Sequence, residues 1–234
     1  MIQSVTETGA GFTGASAIHL NIFGLNPVVI FGTEEQKKRM ITPLLDGDDS
    51  ACFGVTEPNA GLDTTNIQTL AIRSGDGYII RGQKHWTTMA QRANKILLLA
   101  RTTPREDVKK KTDGISLFYT DLNRDHVEVH AIPKMGRKAI DSNAVFFDDM
   151  PIPQDDLIGE EGKGFRYLID GLNAERILIA AECVGDGRWF LERAVGYANE
   201  RVVFDRPIGK NQGVQFPIAR AHVNVEAADL MRVR

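Results

Sequence analysis

Cysteine is scarce in this chain: Cys52 and Cys183 are the two present in 234 residues, far apart and without metal-ligand spacing. A disulfide framework is thereby excluded, and a reducing compartment, the cytoplasm, is expected. An excess of charge is missing too. The 28 Lys and Arg against 31 Asp and Glu leave a net charge of -3, which argues against a nucleic-acid partner. No apolar run approaches the ~18 residues of a membrane span. The opening Met1-Ile2-Gln3-Ser4-Val5-Thr6 is neither basic nor apolar, so no secretory signal is expected. What remains is ordinary for a globular chain. Hydrophobic residues make up 42% and charged residues 25%, enough to bury a core, and the length corresponds to about one and a half domains.

The first fifty residues read as helical. The apolar set Ile18, Leu20, Ile22 and Phe23 has the density of a buried helix, which Pro27 breaks. Thr33 followed by Gln36 has the form of a capping box, predicting an amphipathic helix over 34–45 that Gly47-Asp48-Asp49 ends. From 51 to about 158 short β-rich runs take over, at 69–72, 78–82, 96–100, 115–120 and 144–147. Asp76-Gly77 is predicted as the tight turn of a hairpin between the first two. The stretch 102–112, with Arg105, Lys109, Lys110 and Lys111, reads as a solvated loop. Helical periodicity returns from Gly162, and a further helical pattern begins at Val214. The order predicts an α+β chain divided at 1–50, 51–158 and 159–234. The pattern stops at Arg234 without a cap and enters at residues 1–8 in mid-course, so the chain is expected to be a piece of a longer one.

Two motifs are set aside. Gly9-Ala10-Gly11-Phe12-Thr13-Gly14 matches a dinucleotide fingerprint, but no buried strand precedes it, and close helix packing by small residues is the simpler reading. His126, Glu128 and His130 share one face of an alternating segment, yet no third ligand has zinc spacing, so no metal site is expected.

The segment Phe53-Gly54-Val55-Thr56-Glu57-Pro58-Asn59-Ala60-Gly61-Leu62-Asp63 couples a β run to a Gly-containing loop able to present backbone N–H groups. Taken with Gln83-Lys84-His85-Trp86-Thr87-Thr88, and with the stretch from Tyr197 to Gln212 that holds Arg201, Phe204 and Arg206-Pro207-Ile208-Gly209, it resembles an acyl-CoA dehydrogenase. The three motifs occur in that family's order, and the resemblance runs from about Gly11 to Arg234.

The resemblance implies N-terminal helices, a central β-barrel-like domain and a C-terminal helical bundle, here incomplete, assembled as homodimers or homotetramers. It implies FAD as cofactor, an acyl-CoA thioester of fatty acid metabolism as substrate, and an electron-transfer flavoprotein as electron acceptor. Thr56, with Phe53 and Val55, matches residues at the pyrimidine end of the flavin. Gly61 and Leu62 match the flavin phosphate region, where Leu62 replaces the usual Ser or Thr and leaves only its backbone N–H. Trp86 matches the residue packed on one flavin face and Thr88 the hydroxyl near flavin N5, with Thr87 between them. Arg201, Phe204 and Gln212 match residues that reach the FAD of a neighbouring subunit. There Asp205 replaces the usual Gly.

The reaction needs a carboxylate to take the α-proton while a hydride leaves the β-carbon. Most members keep this base in a far C-terminal segment that the chain lacks. The isovaleryl and long-chain types place it on a bundle helix, and Gly171-Leu172-Asn173-Ala174-Glu175-Arg176-Ile177 reproduces that arrangement. By resemblance Glu175 is the expected base, and Asn173 and Arg176 the expected contacts to the CoA and pantetheine portion. The bland alternative is a solvated Glu175 at a helix start capped by Asn173. The chain by itself is expected to be poorly active and to expose an apolar surface. An acyl-CoA oxidase, a flavin monooxygenase and a non-catalytic CoA-thioester-binding homologue stay open on the same fold.

Overall fold

The structure, a computed structural model, describes the backbone of residues 1–234 and every side chain except those of residues 21–23. The side chains of Ile22 and Phe23, from the first apolar set, therefore lie outside the described residues. The chain divides into two compact units, Leu20–Ala174 and Met1–His19 with Glu175–Arg234.

Helices α1 (Ile2–Val5) and α2 (Gly11–Phe23) flank a π-helical turn, Thr6–Ala10. They are followed by α3 (Asn26–Phe31) and α4 (Glu34–Asp46). The predicted capping box starts α4: the Thr33 hydroxyl accepts from the Gln36 N–H at 3.2 Å, and the Gln36 side chain accepts from the Thr33 N–H at 2.9 Å. The Gln36 amide also donates to the carbonyls of Asp155 and Leu157, both at 2.8 Å, fastening the helix to the chain after the sheet.

Strands β1 (Ala51–Gly54), β2 (Leu70–Ser74), β3 (Gly77–Thr88), β4 (Lys95–Arg101), β5 (Ile115–Asp121), β6 (Val127–Ala131) and β7 (Ser142–Pro153) form one seven-stranded sheet. Its order is β1-β4-β2-β3-β7-β6, with β5 paired to β4. The predicted hairpin joins β2 to β3, but its turn is one residue earlier than expected. Ser74 pairs with Gly77, so Gly75-Asp76 forms the loop, and Gly75 takes the positive φ (+57°) that such a turn needs at its first position. Gly77 is a strand residue.

Strand β4 explains the architecture. Its run Ile96-Leu97-Leu98-Leu99-Ala100 is buried throughout, the pattern of a strand covered on both faces. Ile96, Leu98 and Ala100 enter a core with Cys52, Ala71, Tyr78, Ile80, Phe118, Val127, Val145 and Phe147, residues drawn from all seven strands, so the sheet wraps its own interior in barrel-like fashion. Leu97 and Leu99 enter a second core with Val28, Met40, Tyr167 and Leu168, which the helices supply.

Helix α5 (Gly164–Glu200) is one continuous element of 37 residues, whose first turns belong to the sheet unit and whose remainder belongs to the other. After it come the short strands β8 (Val202–Val203) and β9 (Arg206–Pro207) and helix α6 (Gln212–Val233). In that unit Ile2, Ala15 and Ala181 form a small core, and Gly9 (φ +88°) is so close to Trp189 that a Cβ would stand 2.6 Å from the indole nitrogen. Phe216, Val223, Leu230 and Met231 on α6 are exposed. Among the described residues no helix is long and apolar enough to cross a membrane.

Arg101, only 2% exposed, ends β4 with its guanidinium on carbonyls alone: Thr65 at 2.6 Å, Ile67 at 2.9 Å, Lys111 at 3.2 Å and Asp113 at 3.3 Å. A planar fork of five donors can serve four acceptors at once; a lysine cannot. Arg101→Leu is expected to destabilise the protein by about 3 kcal/mol or more, and Arg101→Lys by most of that amount, read from urea midpoints.

Candidate functional site

The loop after β1 is organised by a buried ion pair. Lys84, on β3, donates to the Glu57 carboxylate at 2.8 Å and to the Val55 carbonyl at 3.1 Å. Glu57 in turn accepts the N–H groups of Gln68 (2.7 Å) and Thr69 (3.0 Å). Three chain segments, 55–57, 68–69 and β3, are thereby joined by two side chains. Burial draws the Lys84 ammonium down to about 8, which leaves it charged at neutral pH. Burial pushes the Glu57 carboxyl the other way from its partners, but the Lys84 charge and the N–H donors prevail and hold it below the usual carboxylate range. A backbone bond from His85 N–H to the Thr56 carbonyl (2.7 Å) adds a fifth tie, setting Thr56 beside β3.

Beyond Lys84 the pairing of β3 with β7 slips, with a register shift between Lys84 and Thr87. The irregularity decides which side chains face outward. In a regular strand Lys84, Trp86 and Thr88 would share one face. Instead Lys84 and Thr87 are buried, while Trp86 is 54% exposed and Thr88 half-buried. Trp86 takes φ +61° and Met89 φ +67°, conformations that cost a bulky residue on the order of 1–3 kcal/mol each. Trp86 is thus not a core tryptophan, the usual role of so large a side chain. Its indole lies edge-on to His85, centroids 5.0 Å apart. The Thr87 side chain is turned inward, and among the described residues its hydroxyl has no hydrogen-bond partner.

Phe53 and Val55 are half-buried against the helix-facing core, next to Thr56. Gly61 and Leu62 stand exposed at the loop tip, and a Cβ on Gly61 would meet no atom within 4 Å. The sheet unit therefore brings together Phe53, Val55, Thr56 and the Trp86–Thr88 segment, with Gly61 and Leu62 at the open end of the same loop.

The α5 residues answer to different constraints. Because α5 begins at Gly164, Glu175 lies three turns inside it, so neither capping by Asn173 nor the helix N-terminal dipole accounts for it. Glu175 is half-buried, and burial raises its pKa above the ordinary glutamate value; the Arg176 charge opposes the rise and Glu182 adds to it. Asn173 and Arg176 are exposed. Seven residues on from Glu175, Glu182 is fully buried and joined to His19.

At the far end of α5, β8 and β9 form a hairpin in which Val203 pairs with Arg206. The loop residues Phe204 (φ +50°) and Asp205 (φ +57°) both take positive φ, as a type I′ turn requires, and Asp205 is among the few side chains that tolerate it. Phe204 is 94% exposed at this tip, and Arg201 and Gln212 are exposed nearby in sequence. At ~1.5 Å per residue, α5 carries this hairpin ~37 Å along the helix from Glu175.

One feature escaped the sequence. In the sheet unit a cleft of about 440 Å³ is lined by Lys110, Lys163 and Arg166 together with Phe165 and the carboxylates Asp113 and Asp170. The basic run at 102–112 suggested only solvation, because nothing in it shows that the first turn of α5 brings two more cations to the same place.

The chain as a whole is similar to known proteins. Residues 52–150 match the family model described as the acyl-CoA dehydrogenase middle domain, and residues 162–234 match that of its C-terminal domain. An acyl-CoA dehydrogenase of Bacillus subtilis is 34% identical over 228 residues, covering 97% of this chain and 59% of its own length. The structure of butyryl-CoA dehydrogenase from Megasphaera elsdenii superposes with a TM-score of 0.90 at 30% identity, over 99% of this chain and 60% of that one. The FAD complex of PigA gives 0.91 at 28% identity, with the same coverage. The chain thus spans about 60% of the length of these relatives.

Glu57→Gln is expected to cost about 3–5 kcal/mol, because it leaves the Lys84 ammonium buried without its counter-charge. Adding Lys84→Met to that variant should recover much of the loss. Urea unfolding of the two single variants and the double variant measures this, and a purely additive result would remove the pair as the organising contact.

Proposed function

As the chain belongs to the acyl-CoA dehydrogenase family, we propose that it carries the flavin-binding and proton-abstracting parts of an enzyme that introduces a double bond between the α and β carbons of an acyl-CoA thioester. The observation that carries this reading is Trp86, a tryptophan held half-exposed at a strained backbone position, with the Thr88 hydroxyl two residues on. An aromatic face, a nearby hydroxyl and an open-tipped loop beside Thr56 fit a flat heteroaromatic ring with polar edges, as in FAD. Phe53, Val55 and Thr56 would hold its pyrimidine end, Trp86 one face, and Thr88 the N5 edge, with Gly61 and Leu62 toward the phosphates. Thr87, turned inward, would contribute through its backbone. When bound, FAD supplies the acceptor for the hydride that leaves the β-carbon.

Glu175 is the base in this reading. Its carboxylate takes the α-proton, the electrons of the broken C–H bond become the new C=C bond, and the β-hydride departs. Partial burial suits the task, since it raises the proton affinity of Glu175 and brings a carboxylate closer to the working pH. Asn173 and Arg176, on the same helix, would steer the pantetheine arm. The cleft of Lys110, Lys163 and Arg166 offers three cations, against the two carboxylates of Asp113 and Asp170, to a polyanionic carrier such as CoA.

Arg201, Phe204 and Gln212 are separated from Glu175 by the part of α5 that follows it, ~37 Å of helix, which supports the reading that they serve the FAD of another subunit in a homodimer or homotetramer. Arg201 has the planar fork suited to phosphate. We take an electron-transfer flavoprotein as the electron acceptor and, from the two free cysteines, the cytoplasm as the compartment. The three-part division at 1–50, 51–158 and 159–234 is retained as the domain organisation of this reading.

The test is the anaerobic visible spectrum of the FAD-reconstituted protein with a panel of acyl-CoA esters: bleaching supports dehydrogenation, and ligand binding without bleaching supports a non-catalytic homologue. Rapid reoxidation of the reduced flavin by oxygen would favour an oxidase. In a full-length version, Glu175→Gln is expected to lower turnover by about 10²–10⁴ with FAD content unchanged. Because the raised pKa means that the base form appears only above it, the acid limb of the kcat/KM profile should lie above the ordinary glutamate value of about 4.3. Lys163→Ala with Arg166→Ala should raise KM for acyl-CoA by on the order of tenfold with kcat unchanged, and the effect should shrink in high salt.

A further inference from the structure

Asn143 stands where the sequence pattern calls for an apolar residue. Along β7 the inward positions are 143, 145 and 147, and the second and third are Val145 and Phe147 of the sheet core. Asn143 is 0% exposed. A polar side chain buried at such a position is retained for the hydrogen bonds it makes, since an apolar one would pack there at less cost.

Those bonds converge on the strained segment. The Asn143 amide donates to the Thr87 carbonyl at 2.9 Å and to the Asp141 carboxylate. The same carboxylate accepts the Gln91 N–H at 3.3 Å, and the Asp141 carbonyl accepts the Met89 N–H at 3.4 Å. Asn143 is also the β7 residue paired with Thr87 where the register resumes after the bulge. Trp86 and Met89, both at positive φ, bracket this point of attachment. Strained residues persist only where their surroundings over-determine them, and here the side-chain bond nearest the strain comes from Asn143.

We propose that Asn143 is a positioning residue: by holding the Thr87 carbonyl it fixes the bulge that turns Trp86 and Thr88 outward, and so sets how the two meet the flavin. The inference rests on the assignment of Trp86 and Thr88 to the flavin. Asn143 touches neither substrate nor cofactor in this account; it acts through the backbone of Thr87. An aspartate would set an acceptor against the Thr87 carbonyl and the Asp141 carboxylate.

The experiment compares Asn143→Asp, Asn143→Leu and the milder Asn143→Ser, which keeps one donor, in a Trp189→Phe background where Trp86 is the single indole. In the flavin-free protein, amide hydrogen exchange at 87–89 should quicken by on the order of tenfold, with exchange in β4 and β5 unchanged, and Trp86 emission should shift. After reconstitution, the FAD Kd should rise by about tenfold and kcat should fall more than KM changes, with Asn143→Ser between wild type and Asn143→Asp. Wild-type exchange and emission in the folded variants would overturn the proposal, as would altered emission with an unchanged FAD Kd. If Asn143→Asp and Asn143→Leu do not fold, Asn143→Ser is read by the same criteria. Failure of a full-length version to bind FAD would instead sink the assignment of Trp86 and Thr88, and the exchange data would still decide whether Asn143 holds the bulge.

Discussion

The contact between the Lys84 ammonium and the Glu57 carboxylate is the constraint on which the candidate flavin side depends. A buried ion pair is a poor source of net stability, because both charges lose their water. Its value here is geometric. Glu57 takes the N–H groups of Gln68 and Thr69, and Lys84 takes the Val55 carbonyl, so a loop with few apolar anchors acquires one shape. In a dry interior every one of these bonds is costly to leave unmade, which gives the arrangement its specificity. Thr56 then stands next to β3, and β3 carries Trp86.

Strain marks the places where the fold departs from its own regularity. Among the described residues six other than glycine have positive φ, and Trp86, Met89, Phe204 and Asp205 account for four of them. Trp86 and Met89 surround the outward-facing segment of β3; Phe204 and Asp205 form the tip of the hairpin after α5. Aromatic side chains in such conformations are held outward at a cost that packing elsewhere must offset. Both aromatics are exposed, so neither returns that cost by burial in the described structure.

Helix α5 spaces the candidate residues. Its 37 residues set Glu175 three turns from one end and deliver the Phe204 hairpin at the other. Burial of Glu175 is a property of its place along this helix, with Glu182 two turns further on. The cationic cleft belongs to the same helix, at the first turn, where Lys163 and Arg166 meet Lys110 from the loop before β5.

Local chemistry made much of this legible in one dimension. Alternation and turn residues disclosed the strands and the β2–β3 hairpin, the Thr33/Gln36 spacing disclosed the start of α4, and three short motifs in order disclosed the family. These are properties of neighbouring residues, and a periodic pattern carries them. Tertiary structure decided the rest, because it depends on residues far apart in sequence. The turn moved one residue to Gly75-Asp76 because the strand register, not the dipeptide, sets the closing pair. Lys84 looked like part of a motif, and only the fold brings Glu57, 27 residues away, to its charge. The alternative of Glu175 at a helix start fell away because α5 is continuous, and Trp86 turned outward because Lys84 and Thr87 cannot both face the core without an extra residue between them.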